Sequence, residues 1–213
     1  MAVRSFGIIT EGDARQIEPG STVELEKGGH VTPLAQDTLR ARRVTVVPAG
    51  SVDPALPADL APVSPVQRLA VGSDHTGVAL KSALIAHLRG KGIAVNDLGT
   101  NSTEAVDYPD IAAAVAKSVT RKESDAGVVI DGAGLGSTIA ANKIRGARAT
   151  MCTTVTLARY AREHNGANVL ALGSTLVSTA EALEILEMFL TTPTREPRYL
   201  RRLLKVRRLE ESF

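Results

Sequence analysis

From residue 67 onward, short runs of Val, Ile and Leu alternate with longer stretches in which apolar residues recur at helical spacing. Strands separated by helices pair in parallel, and strands that are apolar throughout need cover on both faces. The alternation therefore predicts an α/β fold with a doubly wound five-strand parallel sheet, a Rossmann-like three-layer sandwich, followed by a C-terminal helix. The predicted strands are residues 68–71, 94–97, 126–130, 147–151 and 169–172, and the predicted helices are 77–89, 108–120, 136–142, 154–165, 179–191 and 198–213.

Residues 1–66 have a different character. Five prolines crowd residues 48–65, which is typical of an extended linker. Upstream, apolar runs at 6–9 and 44–47 flank a predicted helix over residues 33–41, with Thr32 as N-cap and Pro33 in the first turn. We expect a small N-terminal extension over residues 1–66, too short to fold firmly alone, and a main domain over residues 67–213.

Composition excludes several classes of function. The single cysteine, Cys152, rules out an intrachain disulfide and a multi-cysteine zinc site, and favours the cytosol. A net charge of +2 and 3% aromatic residues without Trp argue against a nucleic-acid surface. No apolar run approaches the roughly 20 residues of a membrane span. Because no His or Cys pair has ligand spacing, we expect no metal.

Polar residues follow three of the predicted strands: Asp74 and His75 after the first, residues 131–137 after the third, and Thr153 after the fourth. In an open parallel sheet, ligands bind beyond the carboxyl ends of the strands. The sequence therefore predicts one site at this edge. The alternative to a ligand site at Asp74 and His75 is an Asp that caps a helix beside a solvated His. His164 lies near a helix end, where an imidazole is equally suited to stabilising that terminus.

Three glycines, Gly132, Gly134 and Gly136, lead from the third strand into a helix. Such a loop lets backbone N–H groups approach an oxyanion at the positive end of the helix dipole. The spacing is Gly-x-Gly-x-Gly after the third strand, whereas dinucleotide sites need Gly-x-Gly-x-x-Gly after the first, so a nicotinamide or flavin cofactor is disfavoured. A tight strand-to-helix turn without a ligand fits the spacing equally well.

Four strings, GSDHTG (72–77), VDYPD (106–110), GLGSTIAANK (134–143) and AREHNGANVL (161–170), resemble the ribose-5-phosphate isomerase type B family, which includes the galactose-6-phosphate isomerase subunits. The likeness covers about residues 67–205. It implies a five-strand doubly wound sheet and a dimer, or a tetramer, whose sites each borrow residues from a partner. It also implies a cofactor-free interconversion of aldose and ketose phosphates. There, a base removes the proton on carbon 2 and an anion hole holds the enediolate.

The resemblance also implies roles for individual residues. Asp74 and His75 would contact the sugar hydroxyls and the phosphate, Tyr108 would line the pocket, and Asn165 would bind the sugar. Arg198 and Arg202, one helical turn apart, would bind the phosphate of the neighbouring subunit's substrate, unless they belong to a solvated basic tail. The anion hole would be formed by backbone N–H groups of residues 132–137, among them Gly132, Gly134, Gly136 and Ser137.

Four positions depart from the family pattern. Asp131 stands where the family has its catalytic cysteine, and Ala133 stands where a Thr is usual. Thr153 replaces a ring-opening His, and Ser137 occupies the position at which a second branch has a glutamate base. Cys152, next to Thr153, is not the displaced nucleophile. Both usual bases are therefore absent, and the altered pocket leaves the sugar phosphate (pentose, hexose or tetrose) undetermined.

Three interpretations follow. In the first, the Asp131 carboxylate is the base and His164 opens the sugar ring, a role that the glutamate-type relatives give to this His. In the second, the chain is one subunit of a heteromer, because the string VIDGAG (129–134) resembles the A-type galactose-6-phosphate isomerase subunit. In the third, the site binds a sugar phosphate without turning it over.

A further resemblance concerns the N-terminal extension. Residues 32–39, TPLAQDTL, are similar to a Thr-Pro-x-Ala-x-Asp-x-Leu segment found in some proteins of bacterial microcompartment operons. It implies docking to a shell or partner protein, which would locate the enzyme in a microcompartment. A small annex packed on the core, or a disordered leader, is the alternative.

Overall fold

The computed structural model describes residues 4–49, 57 and 60–212. They fall into two compact units, one within Met1–Ala58 and the other within Asp59–Phe213. Along these residues, no helix combines the length and the apolar character needed to cross a bilayer.

The smaller unit is a three-stranded parallel sheet with two helices. Its elements are β1 (Ser5–Ile9), α1 (Glu11–Gln16), β2 (Thr22–Val31), α2 (Pro33–Ala41) and β3 (Thr45–Pro48), with strand order β1-β2-β3. Helix α2 has its predicted bounds, whereas α1 and β2 were not predicted. Ile9, Ala14 and Leu39 are buried in a core that belongs to this unit, so the N-terminal extension has a hydrophobic interior of its own.

The larger unit confirms the predicted α/β fold. Its strands are β4 (Arg68–Ser73), β5 (Ala94–Asp97), β6 (Ala126–Asp131), β7 (Ala149–Met151) and β8 (Val169–Gly173), all parallel in the order β5-β4-β6-β8-β7. Its helices are α3 (Val78–Gly90), α4 (Tyr108–Thr120), α5 (Leu135–Ala141), α6 (Val155–Glu163), α7 (Thr179–Thr191) and α8 (Pro197–Glu211). A 3₁₀ turn, His75–Gly77, precedes α3.

Side chains on the two faces of this sheet enter separate cores. Leu69, Val128 and Leu170 belong to the core beneath α3, α6 and α7, whereas Ala70 and Val129 belong to the core beneath α4 and α5. Successive residues of a strand point to opposite faces. Strands that are apolar at every position are therefore buried on both sides, as the sequence pattern predicts.

The boundary between the units lies upstream of the predicted one. Residues 60–66, which the sequence assigned to the proline-rich linker, belong to the larger unit, with Leu60 and Val66 buried. Proline content indicates an extended backbone but does not distinguish a solvated linker from an extended segment packed on a core. The segment 60–66 is therefore part of the sheet-bearing unit.

Candidate active site

Two of the predicted polar strand ends meet where the direction of sheet winding reverses. From β4 the chain crosses to β5 on one side and then returns to form β6 on the other, and Ser73 pairs with Ile130 at the carboxyl ends of these strands. Asp74 and Asp131 lie at these adjacent ends, which is the usual ligand-binding position of a doubly wound sheet. We call Asp74, His75, Tyr108, Asp131 and the loop 132–137 the carboxyl-edge cluster.

The Asp131 carboxylate is held by the glycine loop that follows it. Its Oδ1 accepts hydrogen bonds from the backbone N–H groups of Ala133, at 2.8 Å, and Gly134, and its Oδ2 accepts one from the N–H of Ser137, at 2.9 Å. The side chain is only 5% exposed. A carboxylate offers about four lone-pair sites, so these three bonds leave one acceptor site on Oδ2.

The predicted anion-binding N–H groups thus divide into two sets. Those of Ala133, Gly134 and Ser137 bind Asp131, whereas no acceptor within the described residues faces the N–H groups of Gly132, Leu135 or Gly136. The last two begin helix α5, where N–H groups lack intrahelical partners. This second set remains available to a bound oxyanion.

Two glycines of this loop are required by close approach. Gly134 has φ of +76°, and a methyl group there would lie 2.8 Å from Met151 and 3.0 Å from the backbone of Leu172. A methyl group at Gly136 would lie 2.6 Å from the ring of Tyr108. The Tyr108 ring therefore packs directly on the loop.

Asp74 and His75 have separate hydrogen-bond partners. Asp74 Oδ1 accepts hydrogen bonds from Thr76 N, at 2.9 Å, and Thr76 Oγ1, at 2.6 Å, so it caps the 3₁₀ turn, which is the alternative given for this residue above. His75 Nδ1 instead accepts from the N–H of Val106 at 3.4 Å. With Nδ1 an acceptor, the neutral ring carries its proton on Nε2 and presents a donor there.

Two buried hydroxyl groups lie in or next to the carboxyl-edge cluster, that of Ser137 in the loop and that of Ser73 directly before Asp74. Ser73 Oγ and Ser137 Oγ are fully buried and have no hydrogen-bond partner within the described part of the chain. A buried hydroxyl without a partner is destabilising by about 1–3 kcal/mol. Such groups are typical of a site that awaits a polar ligand or water.

Other predicted site residues form a second group, at the opposite edge of the sheet. His164 ends helix α6, and Asn165 follows in the turn that leads into β8, so both precede the amino end of that strand. A cleft brings them together with Arg202 and Tyr199 of α8. Arg198 is adjacent, and its Nη2 donates to the Tyr199 hydroxyl at 2.9 Å. We call His164, Asn165, Arg198, Tyr199 and Arg202 the amino-edge cluster.

The imidazole of His164 is held between two tyrosine rings. Its centroid lies 4.6 Å from that of Tyr160, with the planes 16° apart, and 4.4 Å from that of Tyr199. The guanidinium groups of Arg198 and Arg202 lie 4.7 Å and 5.7 Å from the Tyr199 ring, within cation–π range. Tyr199 therefore contacts His164 and both arginines predicted to bind phosphate.

One chain does not bring the two clusters together. Asp131 lies at the carboxyl end of β6, which pairs with β8 from Gly127↔Val169 to Asp131↔Gly173, whereas His164 precedes β8. Five residues of strand span about 16 Å. The two predicted catalytic residues, Asp131 and His164, therefore lie at opposite edges of the same sheet.

Two further predicted features lie apart from Asp131. Thr153 follows β7, which β8 separates from β6, so two strand spacings, about 10 Å, separate it from the Asp131 strand. Burial raises the pKa of the Cys152 thiol, consistent with an inert side chain.

No group of three acidic, His or Cys side chains within the described residues has the arrangement of a metal site.

Sequence reasoning missed two residues that support these clusters. Lys81, 1% exposed, donates to Asp97 Oδ1 at 2.5 Å and Asn101 Oδ1 at 2.7 Å, and so fastens the segment that leads towards Tyr108. Its position between Leu80 and Leu84 on the apolar side of α3 was the available signal. Tyr199 was overlooked beside the two arginines, although an aromatic residue there is well placed for cation–π contacts.

Comparison with known proteins agrees with the resemblance read from the sequence. Residues 69–206 match a family profile described as Ribose/Galactose Isomerase. The chain is 39% identical over 146 residues to the ribose-5-phosphate isomerase B of Escherichia coli, covering 68% of this chain and 98% of that protein. It is 41% identical over 138 residues to the ribose-5-phosphate isomerase B of Mycolicibacterium paratuberculosis, covering 64% and 87%.

Solved structures give the same result. The ribose-5-phosphate isomerase B of Clostridium thermocellum superposes with a TM-score of 0.67 at 43% identity, covering 68% of this chain and 98% of that one. The enzyme of Mycoplasma genitalium with bound ribulose 5-phosphate gives a TM-score of 0.66 at 38% identity, covering 68% and 97%. The matched profile ends at residue 206 and begins at residue 69, so it leaves out the smaller unit.

Proposed function

The chain belongs to the ribose/galactose isomerase family, and from that premise we propose that it interconverts an aldose phosphate and a ketose phosphate. The observation that carries the proposal is the carboxyl-edge cluster. A buried carboxylate, Asp131, lies beside three backbone N–H groups that have no acceptor within the described residues. A base next to N–H donors is the arrangement that enediolate chemistry needs.

In the proposed reaction, Asp131 Oδ2 removes the proton from carbon 2 of the opened sugar. The N–H groups of Gly132, Leu135 and Gly136 then stabilise the enediolate oxygen, and the proton returns to carbon 1. The bonds from Ala133, Gly134 and Ser137 orient the carboxylate while leaving one acceptor site on Oδ2.

Ring opening and phosphate binding require a second copy of the chain. His164, Asn165, Arg198 and Arg202 lie at the amino edge, so in a homodimer the amino-edge cluster of one subunit would complete the carboxyl-edge cluster of its partner. Exposed apolar side chains support such self-association. They include Leu135 and Ile139 on one side of α5 and Val206 and Leu209 on α8.

The test is turnover by the purified chain. We expect ketose formation from ribose 5-phosphate, which the ribulose 5-phosphate complex of the Mycoplasma genitalium relative favours. Allose, galactose and tetrose phosphates belong in the same assay, because Ala133 and Thr153 alter the pocket. Turnover that appears only with an added second subunit would support the heteromer instead. Binding of these compounds without any turnover would leave a sugar-phosphate receptor.

We also propose that the smaller unit docks the enzyme to a bacterial microcompartment shell or partner protein. Leu34, in the Thr-Pro segment, is 62% exposed on α2, whereas Ala35 and Leu39 are buried, so α2 has an apolar side chain available to a partner. We expect Leu34→Glu to abolish co-purification with shell proteins while turnover is unchanged. Ile8→Glu, at an exposed apolar position of β1 outside the Thr-Pro segment, is the matched control and should leave co-purification intact.

A further inference from the structure

Arg162 is a buried guanidinium that binds backbone carbonyl groups. It is 0% exposed and donates to Ala167 O and Val63 O, each at 2.7 Å, and to Thr192 O at 3.3 Å. Its guanidinium carbon lies 4.9 Å from the ring centre of Phe189. Within the described residues it has no carboxylate partner, and burial, together with the nearby charge of Arg148, lowers its pKa to about 10. Burying a cation without an anion is costly.

Arg148 makes a parallel connection. Its Nε donates to Gly166 O at 2.7 Å and its Nη2 to Leu60 O at 3.4 Å. The two arginines therefore each join one carbonyl of the turn 164–168 to one carbonyl of the segment 60–66. In both cases the guanidinium group is the bridge between stretches of chain about 100 residues apart in sequence.

The turn is also closely packed. Gly166 has φ of +53°, and a methyl group there would lie 2.6 Å from Leu203 and 3.4 Å from Pro62. His164 and Asn165, the two residues that precede this glycine, belong to the amino-edge cluster. Any displacement of the turn carbonyls would therefore move the imidazole relative to Tyr160 and Tyr199.

We propose that Arg162 is a positioning residue: together with Arg148, which binds Leu60, it fixes His164 and Asn165 by holding their turn against Val63. The segment 60–66 precedes the profile-matched region, so this chain supports its amino-edge cluster with residues outside that region. The kinetic part of the proposal rests on the proposed isomerase function. The structural part concerns the orientation of His164 and does not depend on activity.

The structural part is tested by ¹³C–¹H NMR of the four histidines in the full chain. Because the His164 ring lies between two tyrosine rings, its protons should resonate upfield of those of the other histidines, with His164→Asn giving the assignment. Arg162→Lys retains the charge but lacks the fork that reaches three carbonyls. We expect it to abolish the upfield displacement of His164 and to leave His87, which is bound to Glu187, unchanged.

A second variant leaves Arg162 in place. Two glycines inserted after Ala61 would separate the carbonyl groups of Leu60 and Val63 that bind Arg148 and Arg162. We expect this insertion also to abolish the upfield displacement of the His164 signal. The same insertion after Ala58, upstream of both anchors, is the matched control and should change nothing. If the His164 signal keeps its wild-type upfield position in folded Arg162→Lys protein, or in the Ala61 insertion variant, the proposal is overturned.

Kinetics provide the second readout. A misplacement of about 1 Å can cost 10²-fold in rate, so we expect Arg162→Lys to lower kcat by about 10- to 100-fold. In a His164→Asn background, the same substitution should lower kcat by a smaller factor than in the wild type, because the part of its effect that acts through His164 is already lost. An equal loss in both backgrounds would show a merely structural role. If the wild-type chain has no turnover, the isomerase proposal fails and the NMR result alone decides the role of Arg162.

Discussion

Replacing Asp131 with asparagine is expected to lower kcat by about 10²- to 10⁴-fold, the usual contribution of a positioned base. Asparagine keeps an oxygen for the N–H groups of Ala133 and Gly134, but its NH₂ group cannot accept from Ser137. The loss of one such hydrogen bond costs about 1 kcal/mol in stability, which does not explain the loss of turnover. Initial rates of ketose formation and thermal unfolding, measured on the same preparation, separate the two effects.

Two further variants make this result specific. Asp131→Cys installs the thiol that the family has at this position, and we expect it to restore measurable turnover. Asp37→Asn, at an exposed carboxylate of α2, is the control for a general effect of removing negative charge and should behave as wild type. Turnover that persists in Asp131→Asn would show that another group is the base.

Mixing two variants of low residual activity is expected to restore about a quarter of the wild-type activity. Asp131→Asn damages the carboxyl-edge cluster and His164→Asn damages the amino-edge cluster. If each site combines one cluster from each subunit, a mixed dimer has one intact site and one doubly damaged site. Random exchange makes half of the dimers mixed, and one of two sites in each is intact, which gives about one quarter.

The control for this experiment pairs two defects at the same edge. Asp131→Asn mixed with His75→Asn leaves one defect in every site of every dimer, so no recovery is expected. The subunits should be co-expressed, or unfolded and refolded together, and the turnover compared with that of each variant alone. Equal activity in the two mixtures would refute the shared site.

Local pattern predicted much of the larger unit. Helices α4 and α7 have their predicted bounds, because Pro109 lies in the first turn of α4 and a capping box formed by Ser178 and Glu181 begins α7. Strand β7 is two residues shorter than predicted, because residues 147 and 148 have no regular secondary structure. Helix α6, predicted over residues 154–165, is shorter, whereas β4 and β6 extend beyond their predicted carboxyl ends.

The smaller unit was harder to predict because its elements are short or bury few side chains. Strand β2 has exposed Glu26, Lys27 and Gly28 along its length, so its apolar residues do not form the continuous run of a fully buried strand. Helix α1 has six residues and one buried side chain, Ala14, which is too short for a helical period to be recognised. Only its capping box, Thr10 with Asp13, marks it.

The division of the site into two edges follows from topology rather than from motifs. In a parallel sheet, a residue that ends a helix and precedes a strand lies at the amino edge, and His164 satisfies that condition. The predicted element order therefore already implied that His164 and Asp131 of one chain lie at opposite edges, although the sequence analysis did not assign His164 to either subunit. The hydrogen bonds from the loop to the Asp131 carboxylate were not, because they depend on backbone directions that the spacing of glycines does not determine.

The burial of Leu60 and Val66 has a consequence for how this protein is divided or recombined. A truncated enzyme, or a chimaera in which the smaller unit is transplanted onto another isomerase, has to be cut upstream of Leu60. A junction placed at residue 69, where similarity to relatives begins, would discard carbonyl groups to which Arg148 and Arg162 are bound. In the severed product both arginines would keep their bonds to the turn 164–168 but would lose the bonds that tie this turn to the segment 60–66.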